Sequence, residues 1–169
     1  IELLAKNAGA RFHYGCQARS IAGNGKLRIA FENETAEADS VVVNADYAYA
    51  QQSLLKRRVP RYRYSCSTYL LYLGLKRKVH GPAHHNLFFA RDLAGNLSNI
   101  FSKGDISTDS SFYLHVPTVT DPGLAPPEKD IFYILVPVPN LAKARDDFSK
   151  HEAELRQAVF ERINRAYGI

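Results

Sequence analysis

Four short runs constrain this chain most: Tyr69–Leu75, Asn86–Ala90, Ser111–Val116 and Ile131–Val136. Aromatic and aliphatic residues fill them, the side chains that suit a pleated, half-buried surface, and together they predict one mixed or antiparallel sheet. Alternation within the third run sets His115 on the opposite face from Leu114 and Val116. Two helices should accompany the sheet. Leu93–Phe101 is the first, with Gly95 near its start. The second follows Ser149, where Ser149 and Glu152 make the S-x-x-E pattern of a capping box. Its Leu155, Val159, Ile163 and Ala166 recur at helical spacing up to Gly168, so one apolar face is expected to pack on the sheet. Pro122–Pro127 is a loop.

The earlier part of the chain has a different texture. Leu3, Leu4 and Ala8 fit one helical face, ended by Gly9. Ala10–Tyr14 and Cys16–Ile21 are extended runs, Gly23-Asn24-Gly25 is a tight turn, and Lys26–Phe31 with Glu34–Glu37 predicts a hairpin with a charged open face. Val41-Val42-Val43 is wholly apolar and β-branched, as expected of a parallel strand covered on both faces. Asn44-Ala45-Asp46 and a short helix through Tyr49–Leu55 follow. The predicted fold is therefore α/β with α+β character. Residues 1–55 are expected to be the later part of a Rossmann-like nucleotide-binding domain, and residues 56–169 a sheet domain, the composition changing at the basic stretch around Pro60.

With 169 residues, 46% of them hydrophobic and 23% charged, the chain should fold rather than remain disordered. It contains no apolar run near the roughly 18 residues of a spanning helix, and its start lacks the order of a signal peptide. Cys16 and Cys66 form neither a CxxC pair nor a disulfide framework, so reduced, buried thiols in a cytosolic protein are expected. The sequence has no Met and opens on Ile1–Lys6, which reads as the tail of a helix, so the chain is expected to be a piece of a longer protein. Its net charge of +5 is concentrated in Lys56, Arg57, Arg58, Arg61 and Arg63, then in Lys76-Arg77-Lys78. Such a cluster attracts phosphates of nucleic acid or of anionic lipids, or serves as a solvated linker between domains.

Most catalytic motifs are absent: there is no GxGxxG, P-loop, GxSxG or HExxH. His84 and His85 are adjacent, and neighbours in an extended chain point to opposite sides. No carboxylate or cysteine stands at ligand spacing, so no metal site is expected. His115 is either a hydrogen-bonded histidine of the sheet or a substrate-lining one. Asp46 follows an apolar strand candidate, where ligands collect in open α/β sheets, but Asn44 and Asp46 would equally cap the next helix.

Three segments together resemble one family. The run Gly9–Asp46, with Ala18-Arg19-Ser20-Ile21 and Ala38-Asp39-Ser40-Val41-Val42-Val43-Asn44-Ala45-Asp46, is similar to the later FAD-domain segment of the amine-oxidase and phytoene-desaturase superfamily. Tyr64–Leu75, followed by Ala83-His84-His85-Asn86 and Phe88-Phe89-Ala90, is more particular. So is Phe112–Pro122, with Leu124-Ala125-Pro126 and Tyr133–Asn140. In this order they resemble bacterial-type carotenoid desaturases.

The resemblance implies a flavoprotein that takes hydride equivalents from a long polyene precursor, phytoene or diapophytoene, with FAD as acceptor. It implies Ala18, Asn44 and Ala45 as FAD neighbours and Tyr72 and His115 as substrate-lining residues on alternate sheet positions. It also implies a cytoplasmic enzyme, peripheral on an anionic membrane surface, which agrees with the basic stretch. Apolar walls suit a hydrocarbon ligand, and the flavin would carry the chemistry. Without a pyrophosphate-binding turn, the chain alone is expected to bind FAD poorly. The alternatives are another flavin reaction on the same scaffold, such as carotenoid isomerisation or amine oxidation, and a non-enzymatic membrane-surface module. Nucleic-acid binding is not expected, since no recognition motif accompanies the charge. Nothing in the pattern specifies an oligomeric state.

Overall fold

In the computed structural model, which describes residues 1–60 and 62–169, helix α1 (Glu2–Asn7) stops where Gly9 takes φ 91°. The amides of Gly9 and Ala10 donate to the carbonyls of Lys6 and Ala5, the paired bonds of a Schellman stop. Strands β1 (Ser20–Ala22), β2 (Leu27–Ala30) and β3 (Thr35–Ala38) then form an antiparallel sheet in that order. The Gly23–Gly25 turn joins the first two, and a Cβ on Gly23 would strike the carbonyl oxygen of Lys26. The charged hairpin face is present: Arg28 and Glu37 are paired in register, with a nitrogen–oxygen distance of 3.6 Å.

Other expectations for this part do not hold. Residues 10–14 form no strand, and residues 16–19 are irregular before β1 begins at Ser20. Cys16 is exposed and Cys66 half-buried, both as free thiols. Val41–Val43 is not a strand either, and Val42 is 95% exposed. A strand exists only where a neighbour pairs with it, and among the described residues no strand runs beside this exposed segment, every strand pair being antiparallel. Asp46 is a cap: its Oδ1 accepts the Tyr49 amide at 2.9 Å, starting α2 (Tyr47–Tyr49) and the wider π-type turns of Ala50–Leu54. Ile21, Ala50 and Leu54 make a small core, with Ala18, Ile29, Val41 and Leu55 packed against it.

The chain separates into two units, Ile1–Arg63 and Tyr64–Ile169. The second holds β4 (Ser67–Leu75), β5 (His85–Phe88), α3 (Leu93–Ser98), β6 (Phe112–His115), β7 (Asp130–Val138) and α4 (Glu152–Tyr167). Its four strands are ordered β4-β7-β6-β5, each pair antiparallel. Phe132, Ile134 and Val136 of the central β7, with Phe112 and Leu114 of β6, meet Leu155, Val159 and Ile163 of α4 in one core. Each such side chain contributes about 1.5–3 kcal/mol by leaving water.

Helix α4 starts differently from expectation. Asp147, not Ser149, caps the chain here: its carboxylate accepts the Ser149 amide at 3.0 Å, opening the turn Phe148–Lys150, and α4 begins only at Glu152 without a side-chain cap. Glu152 instead accepts the Tyr69 hydroxyl at 3.1 Å, tying α4 to β4. Ala166 is exposed, and beyond Ile163 the apolar face continues through half-buried Tyr167, which packs against the core. Of the basic residues, Arg77 donates to the Gly168 carbonyl at the end of α4. Arg61 lies outside the described residues.

Candidate functional site

Because α4 covers one face of the sheet, the alternate residues of every strand are left on the other. The register aligns them in rows. Tyr72 of β4 pairs with Tyr133 of β7, Tyr133 with His115 of β6, and His115 with His85 of β5. Leu70, Leu135, Tyr113 and Leu87 form the next row in the same way. A row across four strands is about 14 Å long. The rings are in contact along it: Tyr72–Tyr133 centroids are 4.9 Å apart, His115–Tyr133 6.3 Å and His85–His115 5.4 Å. Leu70, Tyr72 and Leu87 are exposed, while Tyr113, Tyr133 and Leu135 are half-buried. This contiguous aromatic and aliphatic surface makes the open face the candidate site of the second unit.

The electrostatics of the face are those of partly desolvated neutral groups. Tyr133 has its hydroxyl pKa raised, first by desolvation and then by neighbouring Tyr72. His115 is held below the usual histidine value by desolvation and by the proximity of His84 and His85. Uncharged side chains therefore line the middle of the face near neutral pH, which suits an apolar ligand.

At the β5–β6 end, His84, His85 and His115 come together, each with a ring nitrogen within 4.8 Å of the others. His84 Nε2 and His115 Nε2 are 2.8 Å apart. Alternation fails for the adjacent pair because His84 precedes β5. Its carbonyl accepts the Val116 amide, and its ring turns back to 4.3 Å from that of His85. His84 Nδ1 meets the Thr120 hydroxyl and His85 Nδ1 the Tyr113 hydroxyl at 2.6 Å. These are the residues that could hold a metal.

The two predicted lining residues, Tyr72 and His115, thus stand in one row. Tyr133, which joins them, is not among the predicted lining residues; the run Ile131–Val136 is apolar throughout, so only the alternating burial along β7 separates Tyr133 from the buried Phe132 and Ile134. Ala18 is half-buried beside the small core of the first unit, and Asn44 and Ala45 are exposed just before the Asp46 cap.

No family model matches the chain. Curated relatives do. A zeta-carotene-forming phytoene desaturase of Myxococcus xanthus is 43% identical over 149 residues, 83% of this chain and 29% of the relative. A 4,4'-diapophytoene desaturase (4,4'-diapolycopene-forming) of Methylomonas sp is 33% identical over 180 residues, 99% of this chain and 35% of the relative. A lycopene-forming phytoene desaturase of Pseudescherichia vulneris is 35% identical over 140 residues, 78% of this chain and 28% of the relative. The chain belongs to the carotenoid desaturase family. It spans about a third of the length of the curated relatives it matches. The match to the Methylomonas carotenoid desaturase takes in 99% of this chain, the sheet included. No helix among the described residues is long and apolar enough to cross a membrane.

Proposed function

We propose that this chain supplies the substrate-binding sheet, and part of the flavin-binding domain, of an FAD-dependent carotenoid desaturase acting on phytoene or a diapophytoene-like polyene. The observation that carries this reading is the open sheet face built on the Tyr72–Tyr133–His115–His85 row. A hydrocarbon offers no hydrogen-bonding group, so only apolar contact can hold and orient it, and Leu70, Leu87, Tyr113 and Leu135 provide such contact beside the row. FAD, when bound, supplies the hydride acceptor that no side chain of this chain provides.

Ala18, Asn44 and Ala45 are the proposed FAD neighbours. Two features support them: Ala18 and Val41 pack against the same small cluster, so the segments leading to Ala18 and to Asn44 converge, and Asn44 and Ala45 remain exposed there. The basic residues Lys56, Arg57 and Arg58 are exposed, as an anionic membrane surface would require of a peripheral, cytoplasmic protein drawing its substrate from the bilayer.

The test uses the full-length protein carrying this chain, with FAD and phytoene-loaded anionic liposomes, and chromatography of the products. Conjugated desaturation products are expected. Geometric isomers alone would replace this reading with isomerisation, and failure of Leu87→Asp and Tyr72→Ser to lower turnover would remove the face as the polyene site. Sedimentation with anionic vesicles should weaken as salt is raised.

A further inference from the structure

We propose that His84, His85 and His115 form a binding site for a divalent transition metal of the zinc class, clipping the edge strand β5 to β6. The site stands on its geometry; His85 and His115 also belong to the row proposed above, so the ion sits at the β5–β6 end of that face, the opposite end from Tyr72 of β4.

Two imidazole nitrogens bound to one tetrahedral zinc at about 2.0–2.1 Å each stand roughly 3.3 Å apart. His84 Nε2 and His115 Nε2 are 2.8 Å apart, so a shift of about half an ångström, with loss of the proton they share, makes room for the ion. The His85 ring nitrogen already lies within 4.8 Å of both. Backbone structure places the ligands without the metal's help. His85 and His115 are register partners in the β5–β6 ladder, and the His84 carbonyl accepts the Val116 amide at 2.9 Å.

The outer groups match what a metal-binding histidine needs. When Nε2 carries the ion, Nδ1 must be protonated and is best held by an acceptor, which fixes tautomer and ring plane. Thr120 Oγ1 stands at Nδ1 of His84, and Tyr113 Oη at Nδ1 of His85. The donor set selects the ion. Three imidazoles without a carboxylate suit zinc, copper or nickel, not the all-oxygen preference of calcium or magnesium. His85 is exposed on an edge strand, which gives the ion a way in and leaves a position for water.

The experiment titrates tag-free, chelator-treated protein with Zn2+ by calorimetry and with Co2+ by visible absorption. A single equivalent is expected, with ligand-field bands of a tetrahedral nitrogen site and a raised melting temperature. Removing both rings by His84→Ala with His115→Ala should abolish uptake, Thr120→Val should weaken it about tenfold, and His80→Ala should leave it unchanged. Should the double variant fold poorly, nitrogen-15 NMR of the native protein decides: Zn2+ must shift the ring nitrogens of His84, His85 and His115 and not those of His13, His80 and His151. Absence of uptake, uptake unaffected by the double substitution, or shifts at other histidines would each overturn the site.

Discussion

Tyr133 stands directly opposite Tyr72 across the β4–β7 pair, with ring centroids 4.9 Å apart. Strand β7 thereby serves two purposes: Phe132, Ile134 and Val136 point under α4, while Ile131, Tyr133 and Leu135 furnish the open face.

This division predicts opposite outcomes for substitutions on the two faces. Leu114 is fully buried, so Leu114→Ala should cost about 2–5 kcal/mol in urea unfolding. Leu87 is 67% exposed, so Leu87→Asp should change stability by no more than about 0.5 kcal/mol while sharply lowering polyene turnover in the full-length enzyme. Equal destabilisation by both would mean that the Leu87 face is core.

Asp130 gives a second prediction. Buried at the start of β7, its carboxylate accepts the Val79 amide and the Thr118 hydroxyl, both at 2.6 Å. Asp130→Ala strands two buried donors and should cost about 1–3 kcal/mol for each. Thr118→Val removes one partner only and should cost less. A double-mutant cycle should show coupling between the two positions, and strict additivity would mean that they do not share the carboxylate.

The depressed pKa of His115 makes stability depend on pH. The unfolded chain takes up a proton on this ring near the ordinary value of about 6.5, whereas the folded chain resists protonation until lower pH. Between the two values the unfolded state binds more protons, so this contribution is complete above about pH 6.5 and is lost as pH falls through the folded pKa. Melting temperatures measured with chelator present should decline through this window, and His115→Gln should flatten the decline. An unchanged slope in the variant would assign it to other groups.

Much of the second unit was legible in the sequence because its sheet has two different faces. Burial alternates strictly along β4 and β7, and the aromatic and aliphatic runs placed the four strands to within a few residues, although residues such as Phe132-Tyr133-Ile134-Leu135 are apolar on both faces. Local patterns without a partner misled. Val41–Val43 has the composition of a buried strand, yet pairing is a property of a neighbour that a local window does not contain. Ser149 and Glu152 have capping-box spacing, but Asp147 binds the Ser149 amide first and Glu152 is drawn to Tyr69. The histidine cluster was hidden for a related reason. His115 lies 31 positions from His84, and only the β5–β6 register brings the two together.

Arg162 on α4 fastens the helix to the far end of the same sheet. Its guanidinium donates to the carbonyls of Ser110 and Phe89, just before β6 and just after β5, and lies 4.9 Å from the Phe112 ring centroid. A planar fork can bridge two carbonyls and still stack on an aromatic ring, whereas an ammonium cannot reproduce that geometry. Arg162→Lys keeps the charge and Arg162→Met keeps much of the packing, so the pair separates the two contributions. If the fork is what matters, both should destabilise the chain by about 1–3 kcal/mol in urea. Amide exchange at Phe88–Ala90 should also quicken in both, since the end of the edge strand loses its tie to α4. Native-like stability and exchange in Arg162→Lys would instead assign the effect to charge over the Phe112 ring.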